Sequence, residues 1–139
     1  MHLDIDNFKR LNEEFGHTTG DAILVEVANR IRALLRSADV IARYGGEEFL
    51  ALLPSTHFTG AVSVSDRLRK TVGGTPVNVD GQKISVTVSL GVGLFPGRDV
   101  RNKDELVRAA ERALREAKAL GPNRLCVFQH LGYIHQPGG

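Results

Sequence analysis

Apolar residues along the chain switch between two periods, and the switches mark out its elements. From Asp21 to Arg36, Leu24, Val27, Ala28, Ile31, Leu34 and Leu35 recur at three- and four-residue intervals, the stripe of an amphipathic helix. A shorter helix is predicted from Asp6, as its N-cap, to about Phe15, with Gly16-His17-Thr18-Thr19-Gly20-Asp21 as the intervening loop. Ala61, Val64, Leu68 and Val72 mark a third helix, ended by Gly73-Gly74. A fourth opens with Asn102 and Glu105, spaced as in a capping box, and continues through Leu106, Ala110, Ala113, Leu114 and Ala117. Gly121-Pro122 is its stop signal. Elsewhere the period drops to two. Val40-Ile41-Ala42 and Phe49-Leu50-Ala51-Leu52-Leu53 flank a glycine pair, predicting a hairpin over 40–53 whose turn uses glycine's freedom at positive φ. Val77, Val79, Asp80-Gly81 and the alternating run Ile84, Val86, Val88, Leu90, Val92, Leu94 predict a second hairpin, its long arm buried on one face. Residues 1–4 read as the end of a strand, and Leu125 to Phe128 as a closing strand.

The resulting order, β-α-α-β-β-α-β-β-α-β, argues an α+β fold: a central, mostly antiparallel sheet flanked by helices. One domain over 1–130 is expected, followed by a C-terminal tail over 131–139. Composition adds little to this but excludes several classes. Apolar residues make up 42% and charged ones 24%, ordinary for a globular protein. The charge, 18 − 16 = +2, is too balanced to argue for a nucleic-acid or membrane surface. A lone cysteine, Cys126, excludes an internal disulfide and fits a reducing compartment. No apolar run approaches the roughly 18 residues of a membrane span, and the start is not a signal peptide, so a cytoplasmic protein is expected.

Candidate chemistry concentrates in carboxylates. Glu47 and Glu48 stand together at the first hairpin's turn, where a solvated loop with incidental charge is the plain reading. Asp4-Ile5-Asp6 changes that reading, because neighbouring strands would bring Asp4 and Glu47 to one point, where a hard cation takes oxygen ligands.

Taken together, D-I-D-x-F-K-x-x-N, G-H-x-x-G-D, R-x-x-D-x-x-x-R-Y-G-G-E-E-F, the T-V-S-L-G-V strand and A-K-x-x-G-x-N-R resemble the GGDEF family of diguanylate cyclases, in a GGEEF form. The resemblance covers residues 3 to about 128. It implies a fold like the palm of nucleotide polymerases and nucleotidyl cyclases. The implied reaction joins two GTP molecules, one on each protomer of a homodimer, into cyclic di-GMP and two pyrophosphates. Mg²⁺, with Mn²⁺ as a substitute, would be held by Asp4, Glu47 and the Ile5 carbonyl. Glu47 is also the implied general base, with Glu48 either catalytic or a support of the turn. Asn12 and Asp21 match guanine-reading positions, the backbone N–H groups of Phe8 and Lys9 would face the triphosphate, and Lys118 matches a phosphate contact. Asp6 reads as a cap rather than a ligand, and His17 and Gly20 as loop-shaping residues. Arg36 and Asp39, with Arg67, match an inhibitory site for cyclic di-GMP; a surface ion pair is the alternative for the first two.

The chain also departs from the family pattern. Family domains begin further upstream, with a helix and the start of the central strand, and an upstream sensor or receiver domain is implied as a partner. Arg115 stands for a usual tyrosine, and Pro122 for an arginine that reaches phosphate, while Arg124 is kept. These departures leave a second expectation open: a weak or inactive domain that binds GTP or cyclic di-GMP as a regulatory module.

Overall fold

The computed structural model describes residues 1–129 and 132–136. In chain order the elements are β1 (His2–Ile5), α1 (Phe8–Phe15), α2 (His17–Leu34), β2 (Val40–Arg43), β3 (Glu48–Leu52) and α3 (Phe58–Gly74). They are followed by β4 (Val77–Val79), β5 (Gln82–Ile84), β6 (Val88–Val92), α4 (Lys103–Ala119), β7 (Leu125–Gln129) and β8 (Gly132–Gln136). Six strands form one sheet in the order β2-β3-β1-β6-β7-β8, and β4 and β5 form a separate hairpin. Among the described residues only the β6–β7 pair is parallel, so the expected α+β architecture with a mostly antiparallel sheet is what forms.

The first strand is central, and its alternation organises both faces of the sheet. Leu3 and Ile5 point into the main core with Ile23, Val27 and Ile31 of α2 and Leu68 and Val72 of α3. His2 and Asp4, one residue out of phase, take the opposite face, where α4 lies. On that face β6 contributes Ser89 and Gly91, small residues opposite Asp4 and His2. A Cβ on Gly91 would lie 2.2 Å from Ala110 O and 2.2 Å from Leu114 N, so the backbone of α4 rests directly on the sheet. The stripe Ala109, Ala110, Ala113, Leu114 and Ala117 is the matching helix surface.

This explains why the alternating run did not make one long arm buried on a single face. Alternation there is one of size, not polarity. The chain breaks after Ile84, and β6 enters the middle of the main sheet with every residue buried. Three other expectations also change. Helix α2 begins at His17, so His17, Gly20 and Asp21 are helical rather than looped. Gly45 and Gly46 do not take positive φ; the turn that does is Asp80-Gly81, at φ 51° and 85°. The expected tail contains β8, which pairs antiparallel with β7 and sets Tyr133 against Phe128, while residues 130, 131 and 137–139 lie outside the described part. The stop of α4 is as expected, with Gly121 at φ 114° donating its N–H to Lys118 O.

Replacing Gly91 by alanine should therefore strike backbone rather than a yielding side chain. Overpacking typically costs about 1–3 kcal/mol, and the upper end is expected here because neither contact atom can rotate away. Urea unfolding should show a lower midpoint with an unchanged slope. An unaltered midpoint would mean that α4 does not bear on Gly91.

Candidate active site

Strand pairing brings together the carboxylates that are far apart in sequence. Asp4 lies opposite Glu48 in the β1–β3 ladder, and Ile5 N–H donates to Glu47 O at 3.2 Å. The Glu47 backbone is thus held at the end of β3, beside Ile5. The turn before it is fixed by Arg43, whose guanidinium donates to Gly45 O (3.1 Å) and Gly46 O (2.7 Å). A Cβ at 45 would stand 2.6 Å from Glu48 Oε2, so a side chain there would make the end of Glu48 shift.

Asp4 is the most constrained group. It is 6% exposed, Oδ2 receives the Lys118 ammonium from the last turn of α4, and Oδ1 is buried without a partner. Burial holds its carboxyl above the ordinary range, Lys118 pulls in the other direction, and the charges of Glu47 and Glu48 add to the rise. An unpaired buried oxygen with a second carboxylate nearby is a donor set that suits Mg²⁺. Among the described residues no three His, Cys, Asp or Glu side chains converge as a metal group, so a cation here would rest on two carboxylates and the Ile5 carbonyl.

Asp6 has another occupation. It does not cap α1, whose N-cap is Asn7 in the left-handed region with no side-chain hydrogen bond. Instead Asp6 accepts from Thr87 Oγ1 (2.7 Å), Ser89 Oγ (2.8 Å) and Asn123 N–H (2.8 Å). These donors engage both of its oxygens and tie three segments of the chain together.

Phe8 and Lys9 open α1, where N–H groups have no carbonyl within the helix to bond to. Phe8 is buried while Lys9 is exposed. Asn12, on the next turn, has a buried Oδ1 without a partner, and Gly20 packs against it so closely that a Cβ would be 1.7 Å away. Asp21 follows Gly20 on α2 and is exposed. A half-buried amide and an exposed carboxylate therefore share the corner between α1 and α2.

Arg36 and Asp39 pair in the segment between α2 and β2. Arg36 Nη2 lies 2.9 Å from Asp39 Oδ1, and it also contacts Pro54 O (2.8 Å) and Thr56 Oγ1 (2.7 Å). Arg36 holds the Asp39 carboxyl below its usual range. Arg67 lies in a different shallow hollow on α3, with Ser63, Asp66 and Lys70. The structure thus joins Arg36 directly to Asp39, and Arg67 is an exposed residue of α3.

A cluster unnoticed in the sequence supports the turn. His2, 4% exposed, sets its ring edge-on to Tyr44 at 5.4 Å, and Nε2 is 3.2 Å from Glu48 Oε1 at an angle that makes no hydrogen bond. Burial lowers its pKa, against the pull of Glu48 and Glu111. Tyr44 Oη donates to Glu111 of α4 at 3.0 Å. Strand alternation was the available signal, since His2 and Asp4 are two residues apart and share a face.

The fold and site together define an α+β domain with a carboxylate site at the end of its central strands. Residues 1–124 match the family model described as "Diguanylate cyclase, GGDEF domain", and the chain belongs to that family. Diguanylate cyclase A of Treponema denticola is 43% identical over 130 residues, 94% of this chain, which spans only 35% of that relative's length. The crystal structure of the GGDEF domain of YfiN (TpbB) from Pseudomonas aeruginosa superposes with a TM-score of 0.87 at 31% identity, over 92% of this chain and 80% of that one. The GGDEF domain of DgcB from Caulobacter crescentus, solved in complex with c-di-GMP, gives 0.82 at 30% identity, over 91% and 74%. Among the described residues, no helix is long and apolar enough to cross a membrane.

The raised Asp4 pKa carries a pH signature. A carboxyl that binds its proton more tightly when folded loses stability for the fold as pH climbs through the folded pKa. Asp4→Asn removes that loss. In metal-free buffer the variant should resist urea better than the parent at pH 7, and the gain should vanish below pH ~3.9, where the unfolded group is also protonated. A variant weaker than the parent at pH 7 would show that Lys118 fully compensates the buried charge.

Proposed function

We propose that the domain is a diguanylate cyclase, condensing two GTP molecules into cyclic di-GMP and two pyrophosphates with Mg²⁺, one nucleotide on each protomer of a homodimer. The observation that carries this reading is the buried, half-unpartnered Asp4 carboxylate beside Glu47. Family membership and the 43% identity to a named diguanylate cyclase support it.

In the reaction a ribose 3′-oxygen attacks an α-phosphorus, the bond to the β-phosphate breaks, and the proton of the 3′-hydroxyl leaves. Asp4, Glu47 and the Ile5 carbonyl would hold the metal ion, or Mn²⁺ in its stead. That ion supplies neutralisation of phosphate charge and activation of the attacking oxygen. Glu47 takes the proton, and Glu48, pressed between Gly45 and His2, keeps the turn in shape. The open N–H groups at Phe8 and Lys9 suit an anionic triphosphate. Asn12 and Asp21 read guanine, whose N1–H and N2 amino group suit a carboxylate acceptor. Lys118 reaches phosphate, while Pro122, exposed on the following turn, offers no donor where the family pattern has arginine. Arg36, Asp39 and Arg67 form the product-binding surface, and Arg36 reaches it by exchanging Pro54 and Thr56 for ligand phosphate or guanine.

Incubation of the domain with GTP and Mg²⁺ should yield cyclic di-GMP by chromatography, and Glu47→Gln should abolish it while circular dichroism stays unchanged. Undiminished product from Glu47→Gln would sink the mechanism. For the second surface, Arg36→Ala should weaken cyclic di-GMP binding by roughly tenfold or more in calorimetry, the loss of one charge-assisted hydrogen bond or two. Equal affinity would leave Arg36 and Asp39 as a surface ion pair.

A further inference from the structure

We infer that Lys118 is the resident cation of the metal-free site, and that a divalent ion displaces it from Asp4 and so frees it for the nucleotide's phosphates. The inference rests on the reading of Asp4 as a metal ligand and adds a second position for a residue otherwise given one role.

The asymmetry of the pair carries the argument. The Asp4 side chain is 8% exposed and fixed on the central strand, whereas that of Lys118 is 39% exposed on a flexible stem at the end of α4. When the pair opens, the lysine is the partner that moves. Asp4 cannot be left alone, because an isolated buried carboxylate is costly unless a cation or donors compensate it. Its Oδ2 is held by Lys118 and its Oδ1 by nothing, with Glu47 and Glu48 adding negative charge nearby. The site therefore has an unpartnered oxygen and charge to attract a cation, and an ammonium and a divalent ion on the same carboxylate repel. Lys118 has somewhere to go: the carbonyl end of α4 attracts a cation, and triphosphate oxygens would be new partners.

Two consequences follow from linkage. Metal binding without nucleotide is weakened by the competing lysine. Nucleotide, by drawing Lys118 to its phosphates, tightens metal binding, and metal tightens nucleotide binding by the same factor.

The test is Mn²⁺ binding by isothermal calorimetry, without nucleotide, on the whole 139-residue chain. Lys118→Met keeps the apolar stem and removes the charge; it should bind Mn²⁺ at least about fivefold tighter than the parent, the low end of ordinary site-to-site coupling. Lys118→Arg keeps the charge and should not tighten binding, which separates competition from any change in packing. Asp4→Asn should abolish binding. Equal or weaker Mn²⁺ binding by Lys118→Met, with Asp4→Asn still inactive in binding, overturns the displacement and leaves the metal site standing. Tightening by Lys118→Arg as well would also overturn it, since charge would then be irrelevant. Mn²⁺ binding by Asp4→Asn equal to the parent's, or none by any protein, overturns the metal site and this inference with it.

Discussion

One buried carboxylate, that of Asp6, fixes the relation between the parts of this domain. It sits where β1 ends, and its donors come from the approach to β6, from β6 itself and from the turn between α4 and β7. Three short hydrogen bonds satisfy a charge that burial would otherwise make expensive. The same turn is gripped from the other side by Arg69, 2% exposed, which donates to Asn123 O and Oδ1 and to Asp66. Asn123 accordingly holds a left-handed backbone at φ 58°. With that turn held, the last turn of α4 sets Lys118 within reach of Asp4. The reactive end of the domain is positioned by a residue that does not itself react.

How much of this was legible in the sequence depends on the range of the interaction. The four helices and the first hairpin show as periodic runs because their patterns are local, and Asn102 does accept from Glu105 N–H as its spacing suggests. Glu105, however, turns to Arg101 N–H rather than to the cap itself. Asp6 meets the local rules for a cap, an aspartate before a helical run, without capping the helix. Its actual partners lie 81, 83 and 117 residues away, and no window of sequence contains them. The strand β8 was missed for a related reason: five residues between unpatterned flanks carry little period, and pairing with β7 is what gives them form.

For the candidate site the division is similar. The carboxylates at 4 and 47 stand out by residue type and by their place beside apolar runs, and strand pairing brings the two stretches of backbone side by side. What spacing could not convey is the occupancy of each group: Lys118 on Asp4, the unpartnered amide oxygen of Asn12, and Gly20 as the residue that leaves space for it. Gly20 looked like a loop former because glycine is usually read through its backbone freedom. Here it is helical, and its missing side chain is what matters. The clasp from Tyr44 to Glu111 likewise spans 67 residues and ties the hairpin turn to the helix that bears Lys118.

The contrast between Asp6 and Asp21 has a consequence for how such a domain can change over generations. Asp6 and Asn12 are built into packed surroundings, so their replacement is judged first by whether the chain still folds. Lys9, Asp21, Arg36 and Arg67 are exposed, and substitutions there are judged almost wholly by what the surface then recognises. Selection thus acts on the packed and the exposed residues through different filters. The packed ones are inherited with the fold, while the exposed ones are free to drift, to be retuned or to fall silent with the architecture intact.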